Sequence, residues 1–515
     1  MNTPSVVDRW IGSRWAPLAC ALATAFCVHF TWASWSAWPL MHDEWAYWTQ
    51  ASQYAANHWT DPAPPVPEFF EQLYMLVTPV IASKYWPGHA MMIAPGFALG
   101  LPSLVPVLLS AITGGLVFAL ARRVASARVA ALTFALWVST FGNLRFRASY
   151  FSELTTSCMW MVAWWALVRW REGEHRRRWE WMALLAAATG WGAISRPATM
   201  FVFAIPVGAL VLFDTVRGKH WRDLLIGLAV GSAVLGVLPF WSAKTTGNWR
   251  VPPLTAYTRE YLPFDVPGYI VDQSRAPRAL PAEMERVRDF LLEIKVEQAT
   301  APVWRTFSER TGFLVRDAFA GWRLPFILTF AVGIAVGGPV SWFAFASTLM
   351  LVAGYVTQAH TRDWTVYYLE VFPAVAFIAA MGARRAWRAA RARATAALAP
   401  RGSLAMSALA LAAFVLVVAD TLEARQVVSR LGDHTRAFRA GVANLTETPN
   451  IVFVRYAPGR NMHLSLVANE GDLARAESWV VHDLGAANLK LIAAAPRRAW
   501  YLYDEATNTF TRMTP

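Results

Sequence analysis

Met41-His42-Asp43-Glu44-Trp45 stands directly after an apolar run, about residues 15–40, that is long enough to cross a bilayer. Ser83-Lys84-Tyr85-Trp86-Pro87-Gly88-His89 stands shortly before the next such run. Charges at a membrane boundary are costly unless they reach water or a partner. Two adjacent carboxylates and a lysine in this place therefore mark a candidate site. The competing reading is that Asp43 and Glu44 are solvated acids that end a helix.

Outward from this stretch, apolar runs recur along most of the 515 residues, of which 56% are hydrophobic. They predict about eleven transmembrane helices, near 15–40, 100–121, 125–142, 150–168, 180–195, 198–213, 223–243, 322–337, 339–358, 364–382 and 403–421. The expected fold class is thus mostly α, a polytopic membrane protein. The first run exceeds the apolar core of a signal peptide and is read as a retained span. Cys20, Cys27 and Cys158 fall inside predicted spans, with no metal-ligand spacing, and read as small apolar core residues.

The net charge of +13 could point to nucleic acid, but no basic face with interleaved aromatics follows a backbone here. The cations instead sort by side. Arg9, Arg14, Arg122, Arg123 and Arg128 lie on one side, with Arg169, Arg171, Arg176–Arg178, Arg217, Lys219 and Arg222. Arg384, Arg385, Arg388, Arg391, Arg393 and Arg401 join them. The opposite short loops hold only Lys84, Arg145, Arg147, Arg196 and Arg362. This bias predicts a plasma (inner) membrane protein with a cytoplasmic N-terminus and an outer, periplasmic or extracellular C-terminus.

On that outer side, residues 44–57 alternate aromatic and polar residues, as an interfacial helix does, and Pro87 to Gly100 is too short to span. A second outer loop, 244–321, contains a helical stretch whose charges read as a solvated face. We divide the chain into a membrane domain, 1–424, with outer loops 41–99 and 244–321, and a small outer α/β domain, 425–515. Strands are expected at 451–456, 478–481 and 499–503 and a helix at 486–494.

Topology then gathers Asp43, Glu44, Lys84, His89, Arg145, Arg147, Glu153, Arg196, His360 and Arg362 at one membrane face. Glu153 also reads as an acid favoured at a helix start, with the two arginines before it snorkelling. Arg196, between Ser195 and Pro197, is hard to explain at that depth unless it meets an anion. Acids among fixed cations suit a reaction in which a base deprotonates a hydroxyl while an anionic phosphate departs.

The Asp-Glu pair, the Lys-Tyr-x-Pro-Gly segment, the acid-bearing loop near Glu153, and His360-x-Arg362 with Tyr367-Tyr368-Leu and Pro373 resemble the GT-C integral-membrane glycosyltransferases. That superfamily includes protein O-mannosyltransferases and lipid A aminoarabinose transferases. Ser83 to Gly88, Ser195 to Pro197 and the tail containing Asp483-Leu484-Gly485 resemble uncharacterised bacterial members most. The resemblance implies a GT-C-like fold and a polyprenyl-phosphate sugar donor, used within membrane lipid on the non-cytoplasmic face. The acceptor (protein, lipid or glycan) stays open. By position it implies Asp43 as catalytic base, Glu44 as its neighbour or alternate, and Glu153 as a second acid. Lys84, Arg145, Arg147 and Arg362 would hold the donor phosphate, and His89, Arg196, His360 and Tyr367 would bind substrate. Some members use a divalent cation and others do not, so metal is undecided. Trp86 replaces the proline of close relatives, and Val481-His482-Asp483 replaces their Ala-Arg-Asp.

Two rival readings differ in kind. A transporter or lipid flippase would place polar residues near mid-membrane, whereas these charges sit at boundaries on one side. A non-catalytic scaffold presenting 425–515 leaves the acids near Asp43 unexplained.

Overall fold

The computed structural model describes residues 6–34, 37–173, 177–393, 402–469 and 471–513. Arg176 and Arg401, counted above for topology, lie outside them. A helix occupies each of the eleven predicted stretches, from Ala16–Trp32 to Gly402–Ala443. Among the described residues, four helices are by length and composition apolar enough to cross a membrane: Leu104–Val124, Pro197–Gly218, the nearly continuous Trp221–Thr246, and Gly338–Tyr355. Ala127–Val138 and Phe141–Arg147, bent by 68°, make a fifth if taken as one span. Phe326–Val336 is shorter, and Glu153–Glu172 is bounded by charges, with Arg169 and Arg171 in its last turn.

Burial is distributed as lipid contact would require. Trp137, Trp160 and Trp170 are fully enclosed between helices, while Phe26, Phe201, Leu225 and Leu328 stand on the outside. Small residues let helices approach: a Cβ on Gly382 would meet the Thr329 carbonyl, and one on Gly333 the Ile378 carbonyl. Helices Phe326–Val336 and Phe372–Arg393 can therefore lie backbone to backbone, the usual means of association where lipid removes the hydrophobic drive.

Above the bundle, helix His42–Ala55 packs beside helix Pro87–Ala98, and a three-stranded antiparallel sheet joins them. Its strands are β1 (Asp61–Pro62), β2 (Met75–Leu76) and β3 (Val80–Ser83), in the order β1-β3-β2. Lys84 follows β3 at once, so the register Met75↔Ser83 sets where the lysine emerges. Helices Ala282–Thr300 and Val303–Phe319 come from the long segment 244–321.

The C-terminal sheet has β4 (Asn450–Arg455), β5 (Ser478–His482), β6 (Ala499–Asp504) and β7 (Thr509–Arg512), ordered β5-β4-β6-β7. β4 runs parallel to both neighbours, and β7 pairs antiparallel at the edge. Helix Asn488–Ala494 falls on its predicted stretch, whereas β7 lies beyond the three predicted strands. One unbroken 42-residue helix, Gly402–Ala443, leads into this sheet. At its middle Arg425 donates to the Phe30 carbonyl of the first apolar helix (3.0 Å). Nearer its end, buried Phe438 packs on Tyr503, and Arg439 donates to the carbonyls of Leu466 and Ala468.

Candidate active site

Helix His42–Ala55 begins from an extended Met41. Glu44, in its first turn, folds back: one carboxylate oxygen accepts from the Met41 N–H (3.4 Å), the other from the Tyr150 N–H (3.2 Å). These bonds satisfy donors that a helix start leaves open. Burial pushes Glu44 up to about 7. The structure thus uses Glu44 to fix the helix start.

Asp43 has the opposite role. It lines a cleft and accepts from the Tyr85 hydroxyl. Burial raises its pKa, against the Tyr85 hydrogen bond and the charges of Lys84 and Arg196. Lys84 is 5% exposed; its ammonium donates to Asp265 (2.9 Å) and lies 4.2 Å from the Tyr74 ring centroid. Tyr257 holds that ring in turn, its hydroxyl accepting from the Tyr74 N–H (2.9 Å).

Arg196 approaches from beneath. Its backbone is extended (φ −145°, ψ 84°), as a residue before proline prefers, and Pro197 opens the next helix. The guanidinium pairs with Glu153 at 2.5 Å and donates to Ser152 and the Tyr355 hydroxyl. It also lies 5.4 Å from the Tyr367 ring centroid. Glu370 is nearby in the same field: buried, it accepts from Thr156 through one oxygen. The other has no hydrogen-bond partner among the described residues.

Gly88 explains how the Lys-Tyr-x-Pro-Gly and Ser-Arg-Pro segments meet. A Cβ there would collide with Ile194 and the Ser195 hydroxyl, and the Gly88 carbonyl accepts from the Trp191 indole (3.1 Å). Gly88→Val should displace helix Arg178–Ser195 and with it Arg196. The expected result is a lower thermal unfolding temperature in detergent. Unchanged unfolding would show that the contact is dispensable.

The remaining predicted residues separate. His89 is fully buried, bonded to Thr155 (2.8 Å) and the Tyr150 carbonyl (2.9 Å), and burial lowers it to about 3, so it is a neutral strut. Arg147 points into the bundle, donating to Asn143 and Ser157 (each 2.7 Å) over the Trp137 ring. Arg145 lies against Phe146, with Glu44, Asp317 and Asp363 as its charged neighbours. Arg362 is half exposed and pairs with Glu297 and Glu309, both at 3.4 Å. His360 and Tyr367, stacked at 4.4 Å, do reach the cleft.

Asp43 therefore shares its cleft with His360 and Tyr367, with Lys84 and Arg196 as the nearest cations. The opposite wall is the apolar face of helix Ala282–Thr300, with Val287, Phe290, Leu291 and Ile294; Trp364 and His463 complete it. Among the described residues no group of three or more His, Cys, Asp or Glu side chains could hold a metal ion.

This arrangement can be set beside known proteins. The chain superposes on ArnT from Cupriavidus metallidurans bound to undecaprenyl phosphate with a TM-score of 0.55. The match covers 96% of this chain and 91% of that one at 14% identity. The fold is that of this ArnT structure. The apo structure of the same ArnT gives a TM-score of 0.52 at 14% identity, covering 94% of this chain and 92% of that one. The family model for dolichyl-phosphate-mannose-protein mannosyltransferase matches residues 78–242. That stretch holds Lys84, Gly88, Glu153 and Arg196, while Asp43 lies before it. No curated protein matches the chain significantly. With several helices apolar enough to cross a bilayer, the chain is a multi-pass membrane protein.

Tyr74, Tyr85, Tyr257, Asp265, Glu370 and His463 escaped the sequence reading. Tyr85 and Glu370 lie in motifs already singled out, but nothing marked their side chains. Asp265 carries no local pattern at all. The cleft wall had a signal: Val287, Phe290, Leu291 and Ile294 recur at helical spacing.

Proposed function

We propose that the chain is a glycosyltransferase that moves a sugar from a polyprenyl-phosphate-linked donor to a hydroxyl acceptor on the non-cytoplasmic face of the plasma membrane. One observation carries this reading: a half-buried aspartate, Asp43, lines an aromatic-rich cleft with Lys84 and Arg196 as neighbouring fixed cations.

The acceptor hydroxyl gives its proton to the Asp43 carboxylate as its oxygen bonds to the anomeric carbon. The bond from that carbon to the phosphate oxygen breaks, and polyprenyl phosphate leaves with one more negative charge. Burial favours this use of Asp43, because a base that binds protons more tightly abstracts them better near neutral pH. Lys84 and Arg196 suit the leaving phosphate. Both are held by acids and tyrosines before substrate arrives, so little reorganisation is needed as charge develops. The outer hydrophobic surfaces suit the long prenyl chain.

Removing Lys84 tests the donor half. In Lys84→Ala the affinity for undecaprenyl phosphate, read as quenching of tryptophan fluorescence in detergent, should fall about tenfold or more, as loss of a charged hydrogen bond does. Arg362→Ala, distant in this geometry, should bind as the wild type does. Equal binding by Lys84→Ala and wild type would remove Lys84 from the donor site.

A further inference from the structure

The C-terminal unit closes one side of the Asp43 cleft through the loop 457–469, and that loop is fastened on both sides of His463. The preceding residue, Met462, accepts from His42 Nε2 through its carbonyl (2.9 Å). The following residue, Leu464, forms an isolated antiparallel bridge with Met41. Arg460 holds the base of the loop, ion-paired to Glu283 (2.7 Å) on the cleft-wall helix and to Glu505 (3.0 Å) beyond β6. His463 is thus presented to the two residues that precede Asp43 by a doubly anchored backbone.

Its side chain enters the cleft between Phe290, with ring centroids 5.1 Å apart, and Trp364, at 6.2 Å. Of the other histidines here, His360 is committed through both ring nitrogens, to the Thr361 carbonyl and the Tyr368 hydroxyl, and His42 is tied through Nε2 to the Met462 carbonyl, its Nδ1 having no partner among the described residues. Among the described residues neither ring nitrogen of His463 has a hydrogen-bond partner. It is a half-buried polar group, held between aromatic rings in the same cleft as the Asp43 carboxylate, whose charge it feels. A neutral imidazole can donate to one oxygen and accept from another.

We infer that His463 is a positioning residue for the acceptor, hydrogen-bonding the hydroxyl-bearing group that Asp43 deprotonates. The inference rests on the transferase reading of this cleft, and it makes the C-terminal unit part of the acceptor site. Phe290 and Trp364 fix the imidazole plane, and Met462 and Leu464 fix its depth.

The test uses the full chain in detergent with a panel of labelled polyprenyl-phosphate sugars. Membranes from cells lacking the chain supply acceptor at varied dose. In His463→Ala the acceptor dose for half-maximal transfer should rise about tenfold, the size expected when a buried-site hydrogen bond is lost. Half-saturation by donor and binding of undecaprenyl phosphate should stay within about twofold on the same scale. His463→Asn, which keeps a donor and an acceptor, should recover most of the loss; His463→Phe, which keeps the packing, should not. Unchanged acceptor dependence in His463→Ala and His463→Phe overturns the inference, as does a parallel loss in donor and acceptor dependence. If Asp43→Asn is inactive while His463→Ala is normal, only His463 is removed. If the wild type transfers from no donor, or Asp43→Asn transfers normally, the transferase reading falls and this inference with it.

Discussion

Asp43→Asn should lose transfer by about 10²–10⁴-fold, the contribution of a positioned general base. The amide keeps the size of the carboxylate and can still meet the Tyr85 hydroxyl, so folding and undecaprenyl-phosphate binding should persist. That separation is what makes the experiment informative: loss of activity with loss of binding would indicate a structural role instead. The pH profile supplies an independent check. Because burial raises the Asp43 carboxyl above the ordinary aspartate value, and only the deprotonated form accepts a proton, the wild-type rate should fall as pH drops through a pKa above that ordinary value. An acid limb at or below the ordinary value, or one retained in any residual Asp43→Asn activity, would assign the titration to another group.

Arg196→Ala should be the most damaging substitution for the fold as well as the chemistry. Its guanidinium is the ion-pair partner of Glu153, whose side chain is 4% exposed. Deleting one partner of a buried pair leaves the other charge uncompensated, at a cost of roughly 3–5 kcal/mol. The expected readout is a marked fall in unfolding temperature in detergent. Adding Glu153→Gln should restore part of that stability, since the stranded charge is gone, but not transfer, since the cation beside Asp43 is still missing. Stability that stays at the wild-type level in Arg196→Ala would mean that the Glu153 pair contributes little. Full recovery of transfer in the double variant would show that Arg196 acts only by neutralising Glu153.

How far the sequence could be read follows from where information resides. Long apolar runs record helices locally, so each predicted stretch carries one, although among the described residues fewer meet a spanning criterion. Asp43 and Arg196 were legible for the same reason: a charge at depth needs an explanation. Glu44 was equally conspicuous, but its use of two backbone donors depends on Tyr150, distant in sequence. Arg147 and Arg362 show the limit of topology, which assigns a membrane face but not a side-chain direction. One is enclosed by Asn143, Ser157 and Trp137, and the other meets Glu297 and Glu309 near water. Residues 282–300 were read by their charges, although the opposite face of the same helix forms the cleft wall.

The unbroken helix Gly402–Ala443 also constrains how this gene can change. Arg425 fixes its phase against the first apolar helix, and Phe438 with Arg439 fixes its phase against the C-terminal sheet. One residue inserted between these anchors would rotate everything beyond it by about 100° and advance it by about 1.5 Å. A deletion would do the reverse. Length variation there is filtered by angle: two whole turns, about seven residues, nearly restore the bearing while adding about 10 Å of reach. Substitutions can accumulate freely along the exposed side of this rod, but insertions and deletions must keep time with the helix.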